Sequence, residues 1–168
     1  VFTVNFVWIA LPFVHGLIGF LALWGGRDVS GITLPSLQQG APLTTRTALL
    51  MPIYNEAPQH VFARLQTIYE SLDALGVLDH FALFILSDTT DPELWLEEEA
   101  GFWELRRRTK GERHIFYRHR PKNIRRKAGN IADFCQRWGV QYEHMVVLDA
   151  DSLMTGQTLV QLVAAMEA

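Results

Sequence analysis

Two carboxylates separated by a single residue, Asp149-Ala150-Asp151, directly follow the apolar run Met145-Val146-Val147-Leu148. Carboxylates this close repel each other unless a cation lies between them. A hard divalent ion, Mg²⁺ or Mn²⁺, takes oxygen ligands and grips phosphate as well. The plain alternative is a turn or a helix cap, which Asp forms routinely. A second group, Lys127-Ala128-Gly129-Asn130, opens a helical stretch. The free amides of a helix start favour an anion, Gly129 allows close backbone approach, and Lys127 adds a positive charge. A diphosphate suits such a place. Upstream lies the strongly basic Arg118-His119-Arg120-Pro121-Lys122-Asn123-Ile124-Arg125-Arg126. Its plain reading is a solvated loop, and its sharper one is attraction of a nucleotide diphosphate or of anionic lipid headgroups.

These groups need elements to position them. Residues 47–53 read as a buried strand stopped by Tyr54-Asn55-Glu56. A helix is predicted over 58–75, with Val61, Leu65, Ile68 and Leu72 at three- and four-residue spacing, Pro58 in its first turn and Gly76 as its stop. Residues 81–86 form a second strand ending at Ser87-Asp88, residues 93–108 a helix, and 115–117 a third strand. A helix over 131–138 continues from the turn at Gly129. Residues 145–148 give a fourth strand and 158 onward a last helix. Strands separated by helices imply an α/β fold with a largely parallel sheet covered on both faces. In such sheets ligands bind at the carboxyl ends of the strands, where Glu56, Asp88, Asp149 and Asp151 fall.

Composition narrows the choice. The chain has 168 residues, enough for one ordinary domain, with 49% hydrophobic and 20% charged residues. A net charge of -3 and the scarcity of aromatic residues in the basic run argue against nucleic acid as a partner. The one cysteine, Cys135, excludes an intramolecular disulfide and a cysteine metal site, and is read as a packed thiol in a reducing compartment. Phosphate-loop, Gly-x-Gly-x-x-Gly and His-Glu-x-x-His patterns are absent from the sequence.

Residues 1–24 contain no Asp, Glu, Lys or Arg. As a helix they reach about 36 Å, against a hydrocarbon core of ~30 Å. They are therefore read as a transmembrane helix, with Trp8 and Trp24 near opposite interfaces and residues 25–46 as a polar juxtamembrane linker. The domain proper then covers 47–168. The start at Val1 and the stop inside a helix suggest a piece of a longer protein.

With Pro52-x-Tyr54-Asn55-Glu56, Asp88, Lys127-Ala128-Gly129-Asn130 and Asp149-Ala150-Asp151 in that order, the chain resembles a family-2 glycosyltransferase of the GT-A fold. The likeness extends to the bacterial branch that makes osmoregulated periplasmic glucans. It is carried by Met51-Pro52-Ile53-Tyr54-Asn55-Glu56, Ile85-Leu86-Ser87-Asp88, Ile115-Phe116-Tyr117-Arg118, Gly129-Asn130-Ile131-Ala132-Asp133-Phe134-Cys135 and Val146-Val147-Leu148-Asp149-Ala150-Asp151-Ser152. The resemblance implies the nucleotide-binding half of a GT-A (Rossmann-like) domain, a UDP-glucose donor, a divalent metal and inversion at the anomeric carbon. It implies a growing β-glucan as acceptor, a bacterial inner-membrane location in contact with lipid, and a cytoplasmic catalytic domain; a carrier-protein partner stays open. By the same resemblance Tyr54, Glu56 and Asp88 would hold the uridine, and Lys127 and Asn130 the diphosphate. Asp151 would bind the metal, and Asp149 the ribose or donor sugar and also the metal. The family's catalytic base lies in a second acidic motif, which would fall beyond Ala168, so the chain alone is expected not to transfer sugar. Two rival readings are a membrane-tethered module that binds nucleotide sugar without turnover and a nucleotidyltransferase. The latter calls for a Gly-rich basic loop where Tyr54-Asn55-Glu56 stands.

Overall fold

The computed structural model describes the backbone of residues 2–25 and 43–167, and the side chains of these except 2–5, 9 and 23. The chain divides into two compact units, Val1–Ser36 and Leu37–Ala168. In the first, α1 covers Phe2–Trp24 and contains Pro12. Among the described residues no helix is long and apolar enough to cross a membrane. The expected transmembrane segment is present as the 23-residue helix α1. Most of the expected linker, 26–42, lies outside the described residues. Its end does not behave as a linker: Leu43 is buried, and the backbone N–H groups of Thr44 and Thr45 donate to Glu167 Oε1 at 3.0 and 2.8 Å.

The second unit is a four-stranded parallel sheet in the order β3-β2-β1-β4, comprising β1 Thr47–Ile53, β2 Phe81–Ser87, β3 Ile115–His119 and β4 His144–Val147. Side-chain alternation divides the core in two. Leu49, Met51 and Ile53 of β1, with Leu83 and Ile85 of β2, face α2 (Pro58–Ala74), α3 (Pro92–Thr109) and α5 (Gly156–Glu167) through Leu65, Ile68, Leu105 and Leu159. Ala48 and Leu50, with Ala82, Phe84 and Leu86, face α4 (Arg126–Trp138) through Phe134. Every residue of β1 and β2 is buried, as expected of strands covered on both faces.

The chain steps outward from β1 through β2 to β3, then returns to place β4 on the other side of β1. That reversal opens a crevice beyond the carboxyl ends of β1 and β4. The predicted elements all form, each shifted by a few residues at most except α4. It starts at Arg126, five residues ahead of the expected 131, because a left-handed pair, Arg125 at φ 61° and Arg126 at φ 49°, turns the chain into the helix.

Candidate functional site

A cavity of about 810 Å³ occupies this crevice. All seven residues expected to contact donor or metal line it: Tyr54, Glu56, Asp88, Lys127, Asn130, Asp149 and Asp151. For the four acidic residues, separations of up to about a hundred residues are closed by the parallel register, since each leaves its strand at the same edge.

The wall beyond β1 and β2 is tightly built. Asn55 sits in the left-handed region at φ 55°, a conformation Asn tolerates well, and its Oδ1 accepts from the N–H groups of Thr90 and Asp91 at 3.0 and 3.3 Å. Glu56 turns its carboxylate back onto the N–H of Tyr54, while the Tyr54 ring is half exposed. Asp88 is 3% exposed, and both its oxygens accept from Arg120, at 2.8 and 2.7 Å. A bidentate pair at such depth is geometrically specific. Arg118, the neighbouring basic residue on the strand, pairs with Asp133 of α4 at 3.2 Å, and burial lowers its pKa. The basic stretch is therefore only partly a solvated loop. Two of its cations are structural struts.

The wall beyond β4 is open. Leu148 extends the ladder by donating to Leu50 O at 2.8 Å, and the chain then turns through Asp149-Ala150-Asp151. Asp149, 66% exposed at its side chain, is ion-paired with Lys127. Part of the charge conflict between Asp149 and Asp151 is thus met by a lysine. Among the described residues Asp151 has no side-chain ion pair, and no group of three or more His, Cys, Asp or Glu is arranged to hold a metal. The donor set still fits a hard cation of the Mg²⁺ type, which binds through one or two carboxylates together with substrate phosphates rather than in an all-protein cage.

Lys127 owes its place to Gly129. A Cβ there would stand 2.0 Å from the carbonyl oxygen of Ile124, so only glycine lets the loop fold against the first turn of α4. The close approach expected at Gly129 is real, but its partner is the protein's own backbone. No side chain caps α4, which leaves its first amides unclaimed by a cap. Asn130 also has a structural task, and its Oδ1 has no partner among the described residues. It is 1% exposed, its Nδ2 donates to Leu86 O at 2.8 Å, and it ties α4 to the end of β2.

Sequence reasoning missed Arg64 and His60, which line the cavity from α2. Arg64 Nη1 donates to Ala150 O at 3.0 Å and so fixes the turn between the two aspartates. Their signal was available: they stand four apart beside the buried stripe Val61-Leu65-Ile68. Cys135, expected to be packed, is exposed, with its Sγ 3.8 Å from Met145 Sδ.

No family model matches the chain. Curated proteins do. The chain is 51% identical over 166 residues to the glucans biosynthesis glucosyltransferase H of Vibrio cholerae serotype O1, covering 99% of this chain and 22% of that protein. It is 51% identical over 169 residues to the protein of that name from Bradyrhizobium diazoefficiens, again 99% and 22%. For the Shewanella putrefaciens protein the identity is 47% over 167 residues, with the same coverage. This chain is a homologue of the glucans biosynthesis glucosyltransferases H. It spans about a fifth of the length of these relatives.

Proposed function

We propose that the cavity binds the nucleotide sugar of a glucan glucosyltransferase, with UDP-glucose as donor, a divalent metal and inversion at the anomeric carbon. The observation that carries this reading is the division of the cavity into two walls at the switch point of the sheet. Beyond β1 and β2 the wall is fixed and carries an aromatic ring and buried polar groups. Beyond β4 it is open and presents Lys127, the free amides of α4, and two exposed aspartates. A nucleoside suits the first wall and a diphosphate the second.

On this reading Tyr54, Glu56 and Asp88 flank the uridine. Lys127 and the start of α4 receive the diphosphate, and Asp151 with Asp149 holds the cation. The ion, when bound, neutralises charge on the leaving diphosphate. Lys127 exchanges its partner, from Asp149 to phosphate oxygen, which leaves Asp149 free for the sugar or the cation. Arg64 keeps the aspartate turn in place while this happens. Asn130 serves the diphosphate side indirectly, by anchoring the helix that carries Lys127.

Glu56 and Asp88 are each engaged by the protein, and Asp149 and Asp151 face the leaving group. The base that deprotonates the acceptor hydroxyl is accordingly proposed to come from a carboxylate outside these 168 residues. The chain by itself should bind donor without transferring glucose to the glucan. The proposed setting is the bacterial inner membrane, with the sheet on the cytoplasmic side. α1 would be its lipid contact, since Trp8, Phe13 and Trp24 are 80, 70 and 77% exposed.

Calorimetric titration of UDP-glucose with Mg²⁺ or Mn²⁺ tests the assignment. Asp151→Ala is expected to lose about tenfold or more in affinity, as befits removal of a charged ligand group. Equal binding by wild type and variant would remove Asp151 from the metal site.

A further inference from the structure

Glu98 is fully buried, at 0% exposure, and lies outside the cavity on α3. A carboxylate at such depth needs partners. Among the described residues no cation pairs with it: three hydroxyls from two strands and a loop converge on it. Thr89 Oγ1 donates to Oε1, Ser87 Oγ donates to Oε2 at 2.6 Å, and the Tyr117 hydroxyl donates to Oε2 at 2.9 Å.

The directions of these bonds matter more than their number. A carboxylate only accepts, so the hydrogens of Ser87 and Thr89 must point at Glu98. Each hydroxyl oxygen is then left as an acceptor, and each meets a backbone donor. The N–H of Thr89 donates to Ser87 Oγ at 3.2 Å, and the N–H of Asn55 donates to Thr89 Oγ1 at 3.0 Å. The second of these bonds crosses from the loop after β1 to the loop after β2. Asn55 stands between Tyr54 and Glu56, and Asp88 between Ser87 and Thr89. A continuous chain therefore runs from Glu98 through Thr89 to Asn55, and it passes beneath the residues that form the closed wall of the cavity.

We infer that Glu98 is a positioning residue for the nucleoside side of the site: by orienting the Ser87 and Thr89 hydroxyls it holds the Tyr54-Asn55-Glu56 turn against Asp88. The inference rests on the nucleotide-sugar reading of the cavity. Glu98→Gln preserves shape but turns one oxygen into a donor. A hydroxyl facing that donor must accept from it, and its own hydrogen then points at no acceptor in a buried place.

The test is UDP titration, with Mg²⁺ present, into the 168-residue chain and four variants: Glu98→Gln, Thr89→Val, Thr89→Ser, and Glu98→Gln combined with Thr89→Val. Glu98→Gln and Thr89→Val should each weaken UDP binding about five- to tenfold. Thr89→Ser keeps the hydroxyl and should bind as wild type. The double variant should bind no worse than the weaker single, because both break one chain. Amide exchange at Asn55, read without ligand, should quicken in Glu98→Gln and Thr89→Val. Unchanged UDP affinity in folded Glu98→Gln overturns the inference, and so do losses that add in the double variant. If Glu98→Gln does not fold, the two Thr89 variants decide, and equal binding by them is the overturning result. Failure of wild type to bind UDP sinks the nucleotide reading instead. Exchange at Asn55 then settles whether Glu98 couples the two loops, and unchanged exchange in both variants refutes it.

Discussion

Asp88 and Asp149 both leave the carboxyl end of a parallel strand, and both carry a basic partner, yet they are built in opposite ways. Asp88 is 3% exposed, takes two bonds from Arg120, and has its backbone N–H on Ile53 O at 2.9 Å. Asp149 is 66% exposed, and its partner Lys127 is 50% exposed. The first pair is desolvated and can be neither broken nor exchanged cheaply. The second is solvated, screened and worth little to stability, so a ligand can take one partner away. One wall of the cavity is thus set before any ligand arrives, and the other can rearrange around one. The sheet order accounts for the contrast. β2 is an interior strand with neighbours on both sides, whereas β4 pairs with β1 alone and carries exposed Met145 and Val147.

The strongest way to break the comparison is to remove Arg120. Arg120→Met leaves the Asp88 carboxylate buried without its cation, and the expected cost is about 3–5 kcal/mol of unfolding free energy. Denaturant unfolding checks it, and a loss within the range of an ordinary surface substitution would show that Asp88 is not held as described. Gly129→Ala comes next. The added Cβ meets a backbone oxygen at 2.0 Å, not a side chain that can swing aside. The loop and the start of α4 must move apart, at an expected cost of about 1–3 kcal/mol. Lys127 should be displaced with them, so UDP affinity should fall as well. A fully stable Gly129→Ala chain with wild-type affinity would mean that the tight loop does not set the lysine.

How much of this was legible in the sequence depended on whether the physics was local. The elements were, because buried strands such as 47–53 and the helical stripe Val61-Leu65-Ile68-Leu72 write their period into the chain. Tyr54, Glu56, Asp88, Asp149 and Asp151 were legible as neighbours for a related reason: strand ends in a parallel sheet share an edge, so the end of an apolar run already marks a place in space, whereas Lys127 and Asn130 showed only as a helix start. The tasks of individual residues were less so. Asn130 belongs to a motif that opens a helix, and nothing in the sequence shows that its amide is spent on Leu86 O across 44 residues. Glu98 reads as one of three consecutive glutamates on an acidic helix, Glu97-Glu98-Glu99, and only the packing of α3 against the sheet selects it for burial. The exposure of Cys135 is hidden for the same reason, since α4 is amphipathic and the sheet decides which side of it is covered. In the basic stretch, composition shows charge but not partner, so Arg118 and Arg120 could not be told from their solvated neighbours.

The smallest effect on stability tests the open wall most directly. Lys127→Met removes an exposed ion pair, and unfolding free energy should change by no more than about 0.5 kcal/mol. Affinity for UDP should behave differently. In the free chain Lys127 already has a partner in Asp149, so what the ligand gains is a replacement of one anion by another. A diphosphate carries more charge than a carboxylate and also meets the amides at the start of α4, so the replacement favours the ligand. A loss of about three- to tenfold is expected. Added salt should weaken wild type more than the variant, because an exposed cation is screened within a Debye length of ~8–10 Å. Asp149→Asn supplies the opposite sign. It frees the lysine from its internal competitor, so with UDP and no divalent ion its affinity should rise. With the ion present that gain should shrink or reverse, because the carboxylate is then needed by the cation. If Asp149→Asn binds UDP equally with and without Mg²⁺, Asp149 is only the lysine's resting partner, and Asp151 alone is left to hold the metal.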